Sequence, residues 1–461
     1  MRRTANRRSP VRNLRAATAV ALAFFVVTAC SSGDDGGDGG DGDGQVELSI
    51  NGMPPETDER QRKVFLAEIA AFEDEHPDIK IVPHEGEMDP ETFNTRVAGG
   101  QLEDVFYVYY TDPAWIIRQG YAADITDHLD DVPHLDQVKP ELHEIFQDAE
   151  GRQYGLPTSN YSMGLLYNRE LFEQAGLDPD DPPSTWEEVR AAAREIGALG
   201  EGINGYGEYS VENTGGWHFT AAMYSEGVEI AEPDGDGWKA AFNVPEAAEW
   251  LELLHAMRWE DGSMGADQLL GWEDLVIQMG AGQLGMYMAA PDNIPILVRQ
   301  YDGAYENLGL AGIPGGQGSL LGGEGYMVNA KASEETIEAA VTWLQWRFLN
   351  PDRIEHAVQQ ELADDLPVGL PMPPLSDIWQ DGAVRDEAER VKAENANIPV
   401  ENVQPFLDAS PDITLKVEPY LAQEVYSVLD NVMQGVLTDR NADIPALLDR
   451  AESQVNDLYT R

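Results

Sequence analysis

The chain has 461 residues, with 30 Lys and Arg against 83 Asp and Glu, one Cys and a formal net charge of −53. Its length allows two or three domains, and its ordinary apolar content argues against wholesale disorder. The charge argues against a nucleic-acid partner or a polybasic membrane patch, and the single Cys against a disulfide framework or a Cys-rich metal site.

Residues 1–15 hold six Arg and no acid, and residues 16–29 (AATAVALAFFVVTA) are small and apolar throughout. A basic stretch followed by a short apolar one reads as an export signal over residues 1–29. It is shorter than the roughly 20 residues that a spanning helix needs. The tetrad Val27-Thr28-Ala29-Cys30 follows. It resembles a bacterial lipobox, which implies cleavage before Cys30 and lipid on that cysteine. A plain secretory signal with a free thiol is the alternative. Cleavage would leave 24 basic against 83 acidic residues. Residues 31–44 contain only Ser, Gly and Asp. Together with Cys30 they read as a flexible, self-repelling linker, because such a stretch cannot bury apolar area.

The ordered body should begin with a strand at Gln45–Ile50. A helix over Asp58–Glu75, a strand at Ile79–Val82, a short helix at Pro90–Ala98 and a buried strand at Asp104–Tyr110 follow. This alternation predicts an α/β fold with a parallel sheet, and ligands in such sheets sit beyond the carboxyl ends of the strands. Further on, Met163–Tyr167 reads as a strand, and Asn168 and Gly176 should cap a helix over Arg169–Ala175. The Ser184/Glu187 and Thr185/Glu188 spacings both fit a capping box. Helical periodicity covers Pro245–Arg258, Glu334–Leu349 and Tyr420–Leu437.

The run from Tyr154 to Val189 (YGLPTSNYSMGLLYNRELFEQAGLDPDDPPSTWEEV) is one of five segments that carry a resemblance. The others are the lipobox, DVFYVYY, the pair FNVPEAAEWLELLHAM and MGAGQLGMYMAAPDN, and the run from Ile313 to Trp346. In order and spacing the chain resembles the family 1 extracellular solute-binding proteins, sugar-binding lipoproteins of ABC importers. Glu103 departs from the pattern, since the family usually has Pro there. The resemblance implies a two-lobed, periplasmic-binding-protein-like (type II) α/β fold with a hinge and an interlobe ligand cleft. Its boundaries would place residues 45–156 and 292–332 in the first lobe, and 157–291 and 333–461 in the second.

Sugar recognition needs aromatic planes for pyranose faces and carboxylates or amides for hydroxyls. The candidate ligand-binding residues at the expected loop positions are Asp112, Asn160, Tyr161, Trp217, Trp272, Tyr287, Asp292 and Glu324. Each has a structural rival. Asp112 and Asn160 would serve as turn residues, Tyr287 as core and Glu324 as a solvated acid. Trp217 and Trp272 are favoured as contacts because each sits in a Gly-flanked polar segment. Trp186, Trp250, Trp343 and Trp346 read as packing on helices.

Catalytic signatures are missing: no P-loop, no HExxH and no GxSxG. The expectation is a non-enzymatic, monomeric, lipid-anchored protein on the outer side of the cell membrane. It would bind a carbohydrate and pass it to ABC permease subunits, with no cofactor, no metal, no nucleic acid, and membrane contact through the anchor alone. The alternative is an exported carbohydrate-active enzyme of the glycoside hydrolase type, which would need two carboxyl groups facing one cleft.

Overall fold

The computed structural model describes residues 45–86, 90–235, 237–369, 378–410 and 413–460. The expected signal peptide, Cys30 and the linker lie outside these residues. Among the described residues there are twelve strands: β1 (Val46–Met53), β2 (Ile79–Glu85), β3 (Val105–Tyr109), β4 (Gly155–Tyr161), β5 (Gly164–Asn168), β6 (Asn204–Tyr206), β7 (Ala231–Asp234), β8 (Gly237–Ala240), β9 (Leu284–Ala289), β10 (Leu308–Gly312), β11 (Gly318–Val328) and β12 (Thr414–Val417). They form two main sheets and one hairpin. The first runs β12-β11-β3-β1-β2, with β4 on the other side of β11; the second runs β10-β5-β9-β6; β7 and β8 pair alone.

The opening alternation forms as its pattern dictates. Strands β1, β2 and β3 are parallel, linked by helices Glu59–Glu75 and Pro90–Gly99. Asp58 caps the first helix by accepting from the Gln61 N–H at 3.2 Å. Phe65, Ile69 and Phe72 on one face of it are buried in the first core. Asn168 likewise accepts from the Leu171 N–H at 3.0 Å, and Gly176 closes that helix at φ 76°. Of the two capping boxes the sequence allowed, Thr185 with Glu188 forms. Glu103, where the family usually has Pro, is buried and meets Arg96 at 2.6 Å.

Each main sheet has its own core, which makes the molecule two-lobed. The first holds Leu48, Val105, Phe106, Leu156 and Val328; the second holds Leu165, Tyr206, Met286 and Leu429. Two expected lobe boundaries are displaced. Strand β10, placed with the first lobe, pairs antiparallel with β5 in the second sheet. Ile294 and Leu297 of helix Asn293–Gln300 pack beside it. Helix Glu334–Phe348, placed with the second lobe, packs on the first core. Its Trp343 and Trp346 sit edge-on to Phe72 at 5.0 and 5.3 Å. An apolar pattern carries no label for its packing partner, so local pattern does not assign an element to a lobe.

The chain crosses between lobes on paired strands. Leu320 of β11 packs in the second core and its neighbour Leu321 in the first. Beside that crossing, β11 pairs antiparallel with the end of β4, Gly322 opposite Tyr161 and Gly323 opposite Asn160. On its other side β12 runs parallel to Gly318–Leu321. The Met163 N–H, just past β4, donates to Ser319 Oγ at 2.8 Å. The two glycines are required by close approach. A Cβ at Gly322 would lie 2.3 Å from the Tyr161 ring, and one at Gly323 would lie 2.4 Å from the Ser159 carbonyl oxygen and 2.6 Å from the Tyr110 ring.

Candidate ligand-binding site

Strand β3 ends in the Tyr109-Tyr110-Thr111-Asp112 corner. Tyr110 is buried and its hydroxyl donates to the Ser159 carbonyl at 2.7 Å, so it is a packing residue. Tyr109 is 38% exposed, and its ring meets Tyr107 edge-on at 5.1 Å. Asp112 is buried. Its carboxylate accepts from the Tyr109 N–H and the Trp115 indole N–H, both at 3.2 Å.

The crossing strands bring the next group together. Tyr161 lies over Gly322. Its phenol is pushed well above the ordinary value, first by burial and then by Glu418, Asp292, Glu324 and Tyr109. Glu324 stands opposite Ser159 on β4 and Tyr109 on β3. It accepts from the Ser159 hydroxyl at 2.5 Å and the Tyr107 hydroxyl at 3.1 Å. Asn160 is buried, and its Oδ1 has no hydrogen-bond partner. A buried acceptor left open marks a place for a donor from water or ligand.

A second group sits at the start of helix Asn293–Gln300. Asn293 Oδ1 accepts from the Trp272 indole N–H at 3.0 Å and from the Tyr287 hydroxyl at 3.1 Å. Its Nδ2 donates to Asp292 at 3.1 Å. Asn293 therefore gathers three of the expected residues, although the sequence reading had passed over it. Tyr287, expected as a candidate ligand contact with core packing as its rival, is fully buried within β9. It sets Asn293, and through it Trp272. Trp272 begins helix Trp272–Gly280 and is partly exposed.

Trp217, expected in a loop, lies in helix Thr214–Ser225 together with His218. Asp430 makes that helix start possible by accepting from the Asn213 and Gly216 N–H groups at 2.9 and 2.8 Å. His218 is fully buried. Its Nδ1 meets Glu208 at 2.6 Å and its ring lies tilted against Tyr209 with centroids 4.1 Å apart. Trp217 flanks it and remains partly exposed. The structure thus gathers Tyr161, Asp292 and Glu324 at one place. Trp272 and Tyr287 join through Asn293, and Trp217 stands apart on its own helix.

The sequence reading missed Glu418. It follows β12 and accepts from the Tyr426 hydroxyl at 2.9 Å. Burial, with Asp112 adding to it, pushes its carboxyl up to about 8. Burial also pushes Asp112 up to about 6, against the hydrogen bonds it accepts. The alternating Ile413–Val417 run before Glu418-Pro419 was the signal that could have found it. Among the described residues, no group of three or more His, Cys, Asp or Glu could hold a metal ion. Partly exposed aromatics, carboxylates and amides are groups suited to holding a polar, hydroxyl-rich molecule.

The model of the bacterial extracellular solute-binding proteins matches residues 57–348, more than half of the chain. The chain belongs to this family. This solute-binding protein is 28% identical over 204 residues to the sn-glycerol-3-phosphate-binding periplasmic protein of Yersinia pestis, covering 40% of this chain and 44% of that one. It is 32% identical over 139 residues to the melibiose/raffinose/stachyose-binding protein of Bacillus subtilis (strain 168), covering 30% of each. A crystal structure of an ABC transporter solute-binding protein from Thermotoga lettingae bound with α-D-tagatose matches its fold with a TM-score of 0.69. That match has 19% identity and covers 90% of this chain and 100% of that one.

The raised carboxyls of Glu418 and Asp112 set a pH dependence. An acid whose folded value is raised favours folding while it is protonated. That stability is complete below the ordinary carboxylate values and is lost as pH rises through about 6 for Asp112 and about 8 for Glu418. The thermal midpoint should fall across this window, and Glu418→Gln should flatten the upper part of the fall. A wild-type and variant profile of equal slope would contradict the assignment.

Proposed function

We propose that this solute-binding protein captures a carbohydrate between its lobes and delivers it to the permease of an ABC importer. The observation that carries the reading is the crossing of β11 between the two cores, where Tyr161 lies over Gly322 and Glu324 accepts from the Ser159 and Tyr107 hydroxyls. Glu418, Asp292, Glu324 and Tyr109 act on the Tyr161 phenol there. A ligand seated there touches both lobes only when they are together, so its binding energy favours the closed form. The permease then reads closure. Asp112, Asn160, Tyr161, Trp217, Trp272, Asp292 and Glu324 are the proposed contacts, with Tyr287 acting through Asn293. The tagatose-bound neighbour and the melibiose/raffinose/stachyose-binding relative support the sugar class.

One relative binds sn-glycerol 3-phosphate. Asp112 and Glu324 would repel a phosphate here, and a net charge of −53 would slow its approach. The glycoside hydrolase alternative finds no support in the comparisons. Lipid on Cys30 would hold the protein to the outer face of the cell membrane, and among the described residues no helix is long and apolar enough to cross one. The protein would act as a monomer without cofactor.

Titration calorimetry against mono- and oligosaccharides should find a ligand of micromolar or tighter affinity, and failure across the panel would sink the sugar class. Tyr161→Ala should weaken that ligand by about tenfold to a hundredfold, the range of a central aromatic contact. In the producing cell, Cys30→Ala should move the protein from the membrane fraction to the medium; an unchanged distribution would refute the anchor.

A further inference from the structure

Outside the crossing strands, two contacts join side chains of the first lobe to side chains of the second. In one, Arg118 stands in the last turn of helix Pro113–Gln119, which follows β3 and buries Ile116 in the first core. Its guanidinium lies 5.0 Å over the Tyr420 ring and donates to the Tyr420 hydroxyl. Tyr420 belongs with the second lobe. Its ring stacks on Trp238 of the β7–β8 hairpin at 6.4 Å and leans on Tyr459 at 6.0 Å. Helix Ala422–Thr438, which begins two residues later, buries Val425 and Leu429 in the second core. In the other contact, Arg299 meets Asp58 at 3.7 Å. Asp58 caps helix Glu59–Glu75 of the first lobe. Arg299 extends from helix Asn293–Gln300, whose Ile294 and Leu297 pack beside the second sheet.

The two contacts leave β11 on opposite flanks. Tyr420 follows β12 on one side of it, and Asp58 follows β1, which lies beyond β3 on the other. Neither is made by the strands about which the lobes turn, so parting the lobes at the crossing separates both pairs. Each pair is only partly enclosed. The Arg299 and Asp58 side chains keep 20% and 19% of their surface exposed, and Arg118 is exposed. Arg299 Nε is buried without a hydrogen-bond partner, so closure takes from this guanidinium a hydration that Asp58 returns only in part. Charges so placed are rehydrated on opening. Each contact therefore shifts the balance between open and closed forms by a few-fold and does not lock it.

We propose that Arg118–Tyr420 and Arg299–Asp58 are clasps that hold a minor fraction of the ligand-free protein closed and so set its affinity for every ligand alike. A ligand that needs both lobes binds with its intrinsic affinity multiplied by the closed fraction, so these residues tune capture without touching the ligand. The inference rests on the closure reading above and adds the protein's own share to it.

The test is single-molecule energy transfer on the full mature chain carrying Cys30→Ala, with dyes on Leu66→Cys in the first lobe and Ile277→Cys in the second, both exposed positions. Without ligand, a minor closed population should stand beside a main open one. Arg118→Gln and Arg299→Gln should each lower the closed-to-open ratio by about threefold, and the double variant by about tenfold. The arginines are the ends to change, because Asp58 also caps a helix and Tyr420 also holds Trp238. A variant that has lost its thermal transition is replaced by Tyr420→Phe for the first clasp or Arg299→Leu for the second, with the same direction expected. In calorimetry, the double variant should weaken each sugar that binds by the same factor, whereas loss of a ligand contact would weaken some sugars more than others. A ligand-free wild type that shows only the open state, or a ratio unmoved in the double variant, overturns the clasps and leaves the sugar reading intact. Failure of every sugar in a panel to raise the closed population sinks the sugar reading, while the clasps stand on the ligand-free ratio.

Discussion

Strand β11 passes through the middle of the molecule, and both lobes are hung on it. Between Leu320 and Leu321 it leaves one core and enters the other, with β4 paired on one side and β12 on the other. A crossing made of hydrogen-bonded strands can flex only along a few backbone torsions, so relative motion of the lobes is restricted to a hinge. The close approach of Tyr161 to Gly322 and of Tyr110 to Gly323 follows from the missing side chains. Those glycines let an aromatic floor form at the crossing itself. The proposed contact Tyr161 and the glycines of the crossing are therefore direct neighbours.

This arrangement explains the division of labour among the aromatic and acidic residues. Tyr110 and Tyr287 are buried braces whose hydroxyls are satisfied by the Ser159 carbonyl and by Asn293. Tyr109 and Trp272 keep exposed surface while held at their polar ends or edges. Asp112 and Glu418 sit where burial works against their ionisation. Such groups persist at functional sites because a ligand supplies what the protein withholds. Most of the chain's 83 acids have no such role. The sequence's very high negative charge belongs mostly to the solvated exterior, whereas burial raises these two carboxyls.

Much of the fold was readable from local pattern. The β1–β2–β3 alternation, the Asn168 and Thr185 caps and the helix over Glu334–Phe348 all follow from periodicity and capping chemistry, which act within a few residues. What was not readable depends on partners far along the chain. Strand β10 is apolar in either sheet, and only its pairing with β5 places it. At the site, Asp112, Tyr161 and Glu324 were visible because strand ends and hinge turns advertise themselves. Asn293 was not, since a single Asn beside an Asp looks like a helix start. Glu418 was hidden among many acids, and its partner Tyr426 and the Asp112 charge that acts on it reach it only in three dimensions.

The central claim is that a ligand held at the β11 crossing closes the two lobes. Small-angle X-ray scattering of the mature protein, with and without a saturating concentration of the tightest sugar found by calorimetry, tests it directly. The account predicts a smaller radius of gyration in the ligand-bound state, and no such change for Tyr161→Ala at a concentration that saturates the wild type alone. An unchanged radius in the wild type under saturation would contradict it.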